Sequence, residues 1–266
     1  MNLKICFIAF CLILLKVQDA NAQSLKIISY NIHHGADKDE VNTLAEMGEY
    51  IKSTQADLVG LQEVDSLCNR SGKVDQMKVL AEITDMHYVF LRHFEYDGGA
   101  YGLGILSKYP IVSQQNDKIT SMKNGEKKSL ALLSARISLP DGKEVDFATV
   151  HFALDQSTRL IQAGEVLEFL KADIPVILTG DFNAEPGTEE MTKLSQRFKM
   201  ADANLGNTFP VLDPTKKIDY IWVSKDNLEK VSKVTIPFAI QYSDHLPLEA
   251  EVSLKSNKDQ VALIHQ

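Results

Sequence analysis

Seven polar residues of types that bind cations or move protons close apolar runs in this sequence. Ile27-Ile28-Ser29-Tyr30 ends in Asn31, and Leu58-Val59-Gly60-Leu61-Gln62 ends in Glu63. Phe147-Ala148-Thr149-Val150 ends in His151, and Val176-Ile177-Leu178-Thr179-Gly180 ends in Asp181-Phe182-Asn183. A short run after Gln241 gives Ser243-Asp244-His245. Any one of these is most simply a strand cap or a turn residue. Together they point to one rim, where a rigid scaffold presents reactive groups. Asp181 and Asn183, two apart, share a side if their strand continues. The Asn, Glu and Asp oxygens suit a hard cation such as Mg²⁺, which keeps several waters and takes one or two carboxylates.

Other chemistries find no motif. The sequence has no HExxH and no Cys/His spacing for zinc. It has no GxSxG elbow and no GxxxxGK[ST] phosphate loop. Gly98-Gly99 and Gly102-x-Gly104 lack the strand–GxGxxG–helix setting, so they read as a tight turn entering a strand. His33 and His34 read as solvated loop histidines, and Arg70, Lys108 and Arg159 as ordinary charged surface.

The elements that must position these groups come from periodicity. Strand-like runs cover Leu25–Ile32, Asp57–Val64, Tyr88–His93, Leu103–Ser107, Leu130–Leu139, Val145–Phe152, Pro175–Thr179, Ile218–Val223, Val231–Ile236 and Leu248–Leu254. Helical spacing appears in Val41–Ile51, Met77–Ile83, Leu160–Leu170 and Met191–Phe198, the last with Thr188 as N-cap. Pro140-Asp141-Gly142 marks a hairpin turn and sends His151 to the opposite rim. Strands without strict βαβ alternation predict mixed, mostly antiparallel sheets with helices outside. No internal repeat and no linker is visible in the sequence.

Composition bounds the function. The chain has 266 residues, 44% hydrophobic and 24% charged, with net charge −8. Acidity argues against affinity built mainly on nucleic-acid phosphates. The basic clusters Lys123 with Lys127 and Lys128, and Lys216-Lys217, are small. Residues 1–22 read as a cleaved signal peptide: Lys4, then apolar Ile5–Leu15, then Ala20-Asn21-Ala22. Eleven apolar residues are too short for a stable membrane span, which needs about 20. Export is therefore expected, to the periplasm or the medium, followed by one domain over residues 23–266. Cleavage removes Lys4, Lys16 and Asp19, a net +1, and takes the charge from −8 to −9. It leaves Cys68 as the lone cysteine, consistent with an exported protein stabilised by its core.

The run endings, read with Tyr101–Ile111, Lys217–Ile221 and Ser243–Pro247, resemble the endonuclease/exonuclease/phosphatase (DNase I-like) superfamily. The matches keep the family's order across nearly all of residues 23–266. The resemblance implies a four-layer α/β/β/α sandwich with the active site at one rim. It implies Glu63 as the main metal carboxylate, with Asn31 and Asp244 near an Mg²⁺ or Mn²⁺ ion. It implies His245 on water or phosphate, oriented by Asp219, and His151 as a second histidine on phosphate. Asp181 would transfer a proton and Asn183 would donate to phosphoryl oxygens. The implied activity is divalent-metal-dependent hydrolysis of phosphodiesters, and of phosphomonoesters where they fit. The substrate class stays open among small molecules, lipid head groups and nucleic acid, and no obligatory protein partner is evident. A secreted endonuclease is the alternative within the enzymes. A catalytically dead binding protein on the same fold should have lost Glu63, Asp181 or His245, and all three are present.

Overall fold

The computed structural model describes residues 24–123, 126–171, 174–201 and 206–255. The expected leader and its cleavage site lie outside these residues, as do the side chains of Lys123, Lys127 and Lys128.

The first sheet begins with β1 (Ser24–Asn31), α1 (Leu44–Thr54), β2 (Leu58–Ser66), α2 (Gln76–Thr84), β3 (His87–Tyr96) and β4 (Gly99–Ser107). The second contains β5 (Ile111–Lys123), β6 (Glu126–Ser138), β7 (Glu144–His151), α3 (Gln156–Phe169), β8 (Val176–Asp181), α4 (Glu189–Leu194), β9 (Phe198–Met200) and β10 (Asp219–Ser224). The chain then returns to the first sheet with β11 (Leu228–Thr235) and β12 (Leu248–Leu254). Strand orders are β11-β12-β1-β2-β4-β3 and β5-β6-β7-β8-β10-β9. β1–β2 and β7–β8 pair in parallel, and the other pairs are antiparallel.

Side-chain alternation explains the layering. Leu25 and Ile27 of β1 meet Leu133, Phe147 and Ile177 between the sheets. Ile28 and Tyr30, on the other face, pack on Met47 and Ile51 of α1 and Met77 and Leu80 of α2. In the second sheet Leu132, Ala148 and Val150 face outward onto Ala163 and Val166 of α3 and Met191 and Leu194 of α4. Both faces of the central strands are covered, which is why they read as nearly continuous apolar runs. The result is the expected α/β/β/α sandwich of the DNase I-like kind.

Three local readings need correction. β5 is a strand over a stretch whose polar composition gave no strand signal; it is an edge strand paired only with β6. The helix expected over Met191–Phe198 stops at Leu194, and Phe198 joins β9. Thr188 sits at the N-cap position of α4, but its hydroxyl donates backwards to the Glu185 carbonyl (3.0 Å) and caps nothing. The two expected tight turns are present. Gly142 (φ +81°) donates to the Leu139 carbonyl at 3.0 Å in the β6–β7 hairpin. Asp97 and Gly98 (φ +46° and +79°) form a two-residue turn between β3 and β4.

The sheets approach closely at Gly60 of β2. A Cβ there would lie 2.0 Å from Thr179 Oγ1 of β8. Two residues on, Gln62 Nε2 donates to Thr149 Oγ1 of β7 at 2.8 Å, a bond from one sheet to the other. The seam delivers the ends of β1, β2, β7 and β8 to a common rim.

Candidate active site

Glu63 does not end its strand, as the sequence suggested. β2 runs on to Ser66, and its register against β4 slips between Leu61↔Gly104 and Val64↔Gly102. Gln62 and Glu63 form a bulge there, with Glu63 at φ +59°. A left-handed non-glycine residue costs about 1–2 kcal/mol, a strain typical of functional sites. The bulge aims the carboxylate at the neighbouring strand end. Asn31 of β1 is fully buried. Its Nδ2 donates to Glu63 Oε1 (3.0 Å) and to Asp181 Oδ2 (3.1 Å), so one amide spaces two carboxylates from opposite sheets. Its Oδ1 accepts from the His33 backbone N–H (3.1 Å), and its carbonyl accepts from Ser243 Oγ (2.7 Å).

Asp181 closes β8 in register with His151 of β7 and Asp219 of β10. Its Oδ2 lies 3.5 Å from His151 Nε2 and 3.7 Å from His245 Nε2. Burial and the Asp219 carboxylate push the Asp181 carboxyl above its ordinary range, and the two histidines only partly offset them. Burial alone would also raise Glu63. His151, the Asn31 hydrogen bond and His245 outweigh that and hold it below the usual value. The two carboxylates are therefore tuned apart.

His245 Nδ1 faces Asp219 Oδ2 at 2.9 Å, and Thr208 Oγ1 donates to the same oxygen at 2.5 Å. Burial alone would lower this histidine. Asp219, Asp181 and Asp244 overcome that and raise its pKa to about 10.

These groups floor a cavity of about 760 Å³. Glu63, His151, Asp181, Asn183, Asp244 and His245 line it, facing Phe94, Tyr101, Leu130 and Leu154. Asn31 and Asp219 are buried outside the lining and are hydrogen-bonded to residues that form it. Two triads converge: Glu63–His151–Asp181 and Asp181–Asp219–His245, each with donor atoms within 4.8 Å of one another. Asp244 lines the cavity but belongs to neither triad; Ser243 Oγ lies 3.3 Å from its Oδ1. A carboxylate held ionised at Glu63, with Asp244 open to the same cavity, suits a hard divalent cation that retains waters.

Some expectations change in detail. Alternation does not bring Asn183 beside Asp181, because β8 stops at Asp181 and Asn183 turns to φ +48°. Its backbone N–H donates to Asp181 Oδ1 (2.9 Å) and its Nδ2 to the Phe152 carbonyl (3.0 Å). His34 is buried rather than solvated, and both His33 and His34 turn to Glu40. Arg70 forks onto Asp65 (2.8 and 2.9 Å) under Tyr96. Lys108 pairs with Asp57 (3.2 Å) at the far end of β2. Arg159 lines the cavity but is held by Glu190 at 2.7 Å. Thr208, Phe94 and Tyr101 were not foreseen. Tyr101 lies inside the Tyr101–Ile111 segment, but nothing in that segment signals a cavity wall.

The chain belongs to the Endonuclease/Exonuclease/phosphatase family, whose model matches residues 28–245. Members of this family are hydrolases acting on phosphoester bonds. An uncharacterised protein of Escherichia coli, YbhP, is 29% identical over 252 residues, covering 87% of this chain and 97% of its own. A mannosyl-6-phosphatase of Bacteroides thetaiotaomicron superposes with a TM-score of 0.69 at 20% identity, covering 86% of this chain and 99% of that one. Beta toxin of Staphylococcus aureus, solved with bound magnesium ions, superposes at 0.64 and 17% identity, with 86% and 99% coverage.

Proposed function

We propose that this chain, exported after loss of residues 1–22 and working as one domain over 23–266, is an Mg²⁺- or Mn²⁺-dependent phosphodiesterase. Phosphomonoesters would be secondary substrates. The observation that carries the reading is the line Asp219–His245–Asp181, facing Glu63 across the amide of Asn31. A bound divalent cation, held by Glu63 and Asp244, would supply Lewis-acid stabilisation of charge on a phosphoryl oxygen.

The remaining work falls to the chain itself. His245, charged at neutral pH, spends its Nδ1 proton on Asp219 and turns Nε2–H toward the cavity. There it stabilises the negative charge that grows on the phosphoryl oxygens. His151 adds a second nitrogen from β7. Asp181, its carboxyl raised, transfers one proton at this centre, either from the attacking water or to the leaving oxygen on the opposite side of phosphorus, a step worth about 10²–10⁴ in rate. Asn31 keeps Glu63 and Asp181 from drifting together or apart.

A small phosphoester fits better than a nucleic-acid strand. Of the lysines and arginines lining the cavity among the described residues, Arg159 is committed to Glu190, which leaves Lys216. Among the similar structures, the mannosyl-6-phosphatase is named for a small phosphomonoester, and beta toxin binds magnesium. The deciding experiment is a Mg²⁺/Mn²⁺-supplemented screen. It compares bis-p-nitrophenyl phosphate, p-nitrophenyl phosphate, sphingomyelin, inositol phosphates, nucleotides and plasmid DNA, with EDTA and Asp181→Ala controls. Hydrolysis of small diesters that disappears in both controls is expected. Turnover indifferent to EDTA would reject the reading, and plasmid cleavage as the dominant activity would replace it with an endonuclease.

A further inference from the structure

We propose that His33, His34 and Glu40 form a second metal site, separate from the phosphoester cavity and selective for a borderline first-row cation of the Zn²⁺ kind. None of the three lines that cavity. Adjacent side chains in an extended strand point to opposite faces. Here the backbone turns left-handed at both histidines (φ +42° and +45°) and brings both rings to one carboxylate. The ring centroids are 4.3 Å apart at 60°. His34 Nε2 lies 2.8 Å from Glu40 Oε2, and His33 Nε2 lies 3.6 Å from Oε1. The three donor atoms all fall within 4.8 Å of one another. Tetrahedral bonds of about 2.0–2.1 Å put neighbouring donors roughly 3.3 Å apart, between those two distances.

The tautomer of His33 points the same way. Its Nδ1 lies 3.3 Å from the Asp37 carbonyl, which can only accept. Nδ1 therefore carries the proton, and in the neutral ring Nε2 presents a lone pair to Glu40. A lone pair facing a carboxylate is relieved by a cation between them, either a second proton on the ring or a metal ion. A histidine whose far nitrogen is anchored on a carbonyl is the usual arrangement behind a metal ligand. The donor chemistry then selects the ion. Two imidazoles and one carboxylate suit Zn²⁺ and its late first-row neighbours, whereas Mg²⁺ prefers oxygen and water. The Glu40 side chain is 68% exposed, which leaves an open side for a water ligand.

The site would clamp the turn that sets the cavity. The His33 N–H holds Asn31 Oδ1, and the His34 carbonyl accepts from Gln76 Nε2 at 2.5 Å. Occupancy would thus stiffen the support of Asn31 without touching substrate.

The test is a Zn²⁺ titration of the EDTA-stripped full chain, followed by long-range ¹H–¹⁵N spectra of the imidazoles and by Tm. Wild type should show the Nε2 resonances of His33 and His34 moving together at one equivalent, undisplaced by a large excess of Mg²⁺. Glu40→Gln, an exposed change that should fold normally, should weaken this response at least tenfold and remove the Zn²⁺-induced rise in Tm. Glu63→Gln should leave it intact, which separates this site from the cavity. Zn²⁺ shifts confined to His151 and His245 would overturn the proposal. So would a His33/His34 response unchanged in Glu40→Gln, leaving Glu40 as a plain hydrogen-bond partner.

Discussion

Both sheets are built on one plan. β1-α1-β2-α2-β3-β4 lies in the order β1-β2-β4-β3, and β7-α3-β8-α4-β9-β10 lies in the order β7-β8-β10-β9. Each leads with a parallel pair joined through a helix, and each adds a two-stranded ribbon beside its first strand. Even the strand-end hydrogen bonds correspond: Ile32 N–H to the Gln62 carbonyl (3.0 Å), and Phe152 N–H to the Asp181 carbonyl (2.9 Å). On this correspondence Asn31 answers to His151 and Gln62 to Asp181. Gln62 is buried and spent on Thr149 of the other sheet, and the bulge presents the next residue, Glu63, instead. The lesson is that one inserted residue separates the roles of two similar scaffolds. In the proposed function the first half offers a cation a carboxylate held below its usual pKa, and the second offers a carboxyl raised above it for proton transfer.

The sharpest way to break this division is to remove one carboxylate from each half. Glu63→Gln and Asp181→Ala should each lower turnover by about 10²–10⁴. Only Glu63→Gln should also weaken Mg²⁺ binding in titration calorimetry, and equal loss of Mg²⁺ in both would erase the distinction. Next in size is the coupling of Asp219 to His245, the charged donor proposed for the phosphoryl oxygens. Asp219→Asn should bring the histidine pKa down from about 10 toward its free value of about 6.5, read by NMR. The double variant with His245→Ala should be scarcely slower than either single one, because both remove the same device. Losses that multiply would mean that the two residues act independently.

The seam between the halves should respond in stability. Gly60→Ala places a methyl 2.0 Å from Thr179 Oγ1 and should cost about 1–3 kcal/mol in urea unfolding. The smallest effects are in pH dependence, and two histidines should act with opposite sign. His93 of β3 accepts from Ala131 N–H of β6 (2.7 Å), and burial, His151 and Lys118 hold its pKa well below 6.5. The folded state then binds fewer protons, so this stabilisation is complete above about 6.5 and drains away as pH falls below it. His93→Gln should flatten the fall in Tm between pH 7 and pH 5. For His245 the folded value is about 10, so its contribution is complete below about 6.5 and is lost as pH rises toward 10. In metal-free protein, Asp219→Asn should remove that alkaline slope.

What was legible in the sequence follows from burial. Strands covered on both faces announce themselves as apolar runs, and a polar residue closing such a run marks the rim. Asn31, His151 and Asp181 were found this way, and the family resemblance then gave the layers and the pairing of Asp219 with His245. β5 was not legible. Ser113-Gln114-Gln115-Asn116-Asp117 lies on a sheet edge, and its strand state is imposed by its pairing with β6. The bulge at Glu63 was equally hidden, since register depends on the partner strand and not on residue type. Thr208 carries no local signal at all; only the fold brings its hydroxyl to Asp219. The shared plan of the halves left no sequence repeat, because sheet topology constrains periodicity and leaves identities free.

β1 lies between β2 and β12, with Ser24 opposite Ser253 and Ile28 opposite Glu249. Its two neighbours therefore become available at very different times as the chain emerges. Until β12 is made, one edge of β1 offers unpaired amides and carbonyls, the kind of edge on which strands from other molecules add. His245 precedes β12 by only a few residues, so the proposed site completes at the same moment as the sheet. Contacts of such sequence separation slow folding, because a long loop must close before any pairing is gained. A nascent or truncated chain that stops short of β12 would thus be both inactive and sticky, and activity would report closure of the whole sandwich.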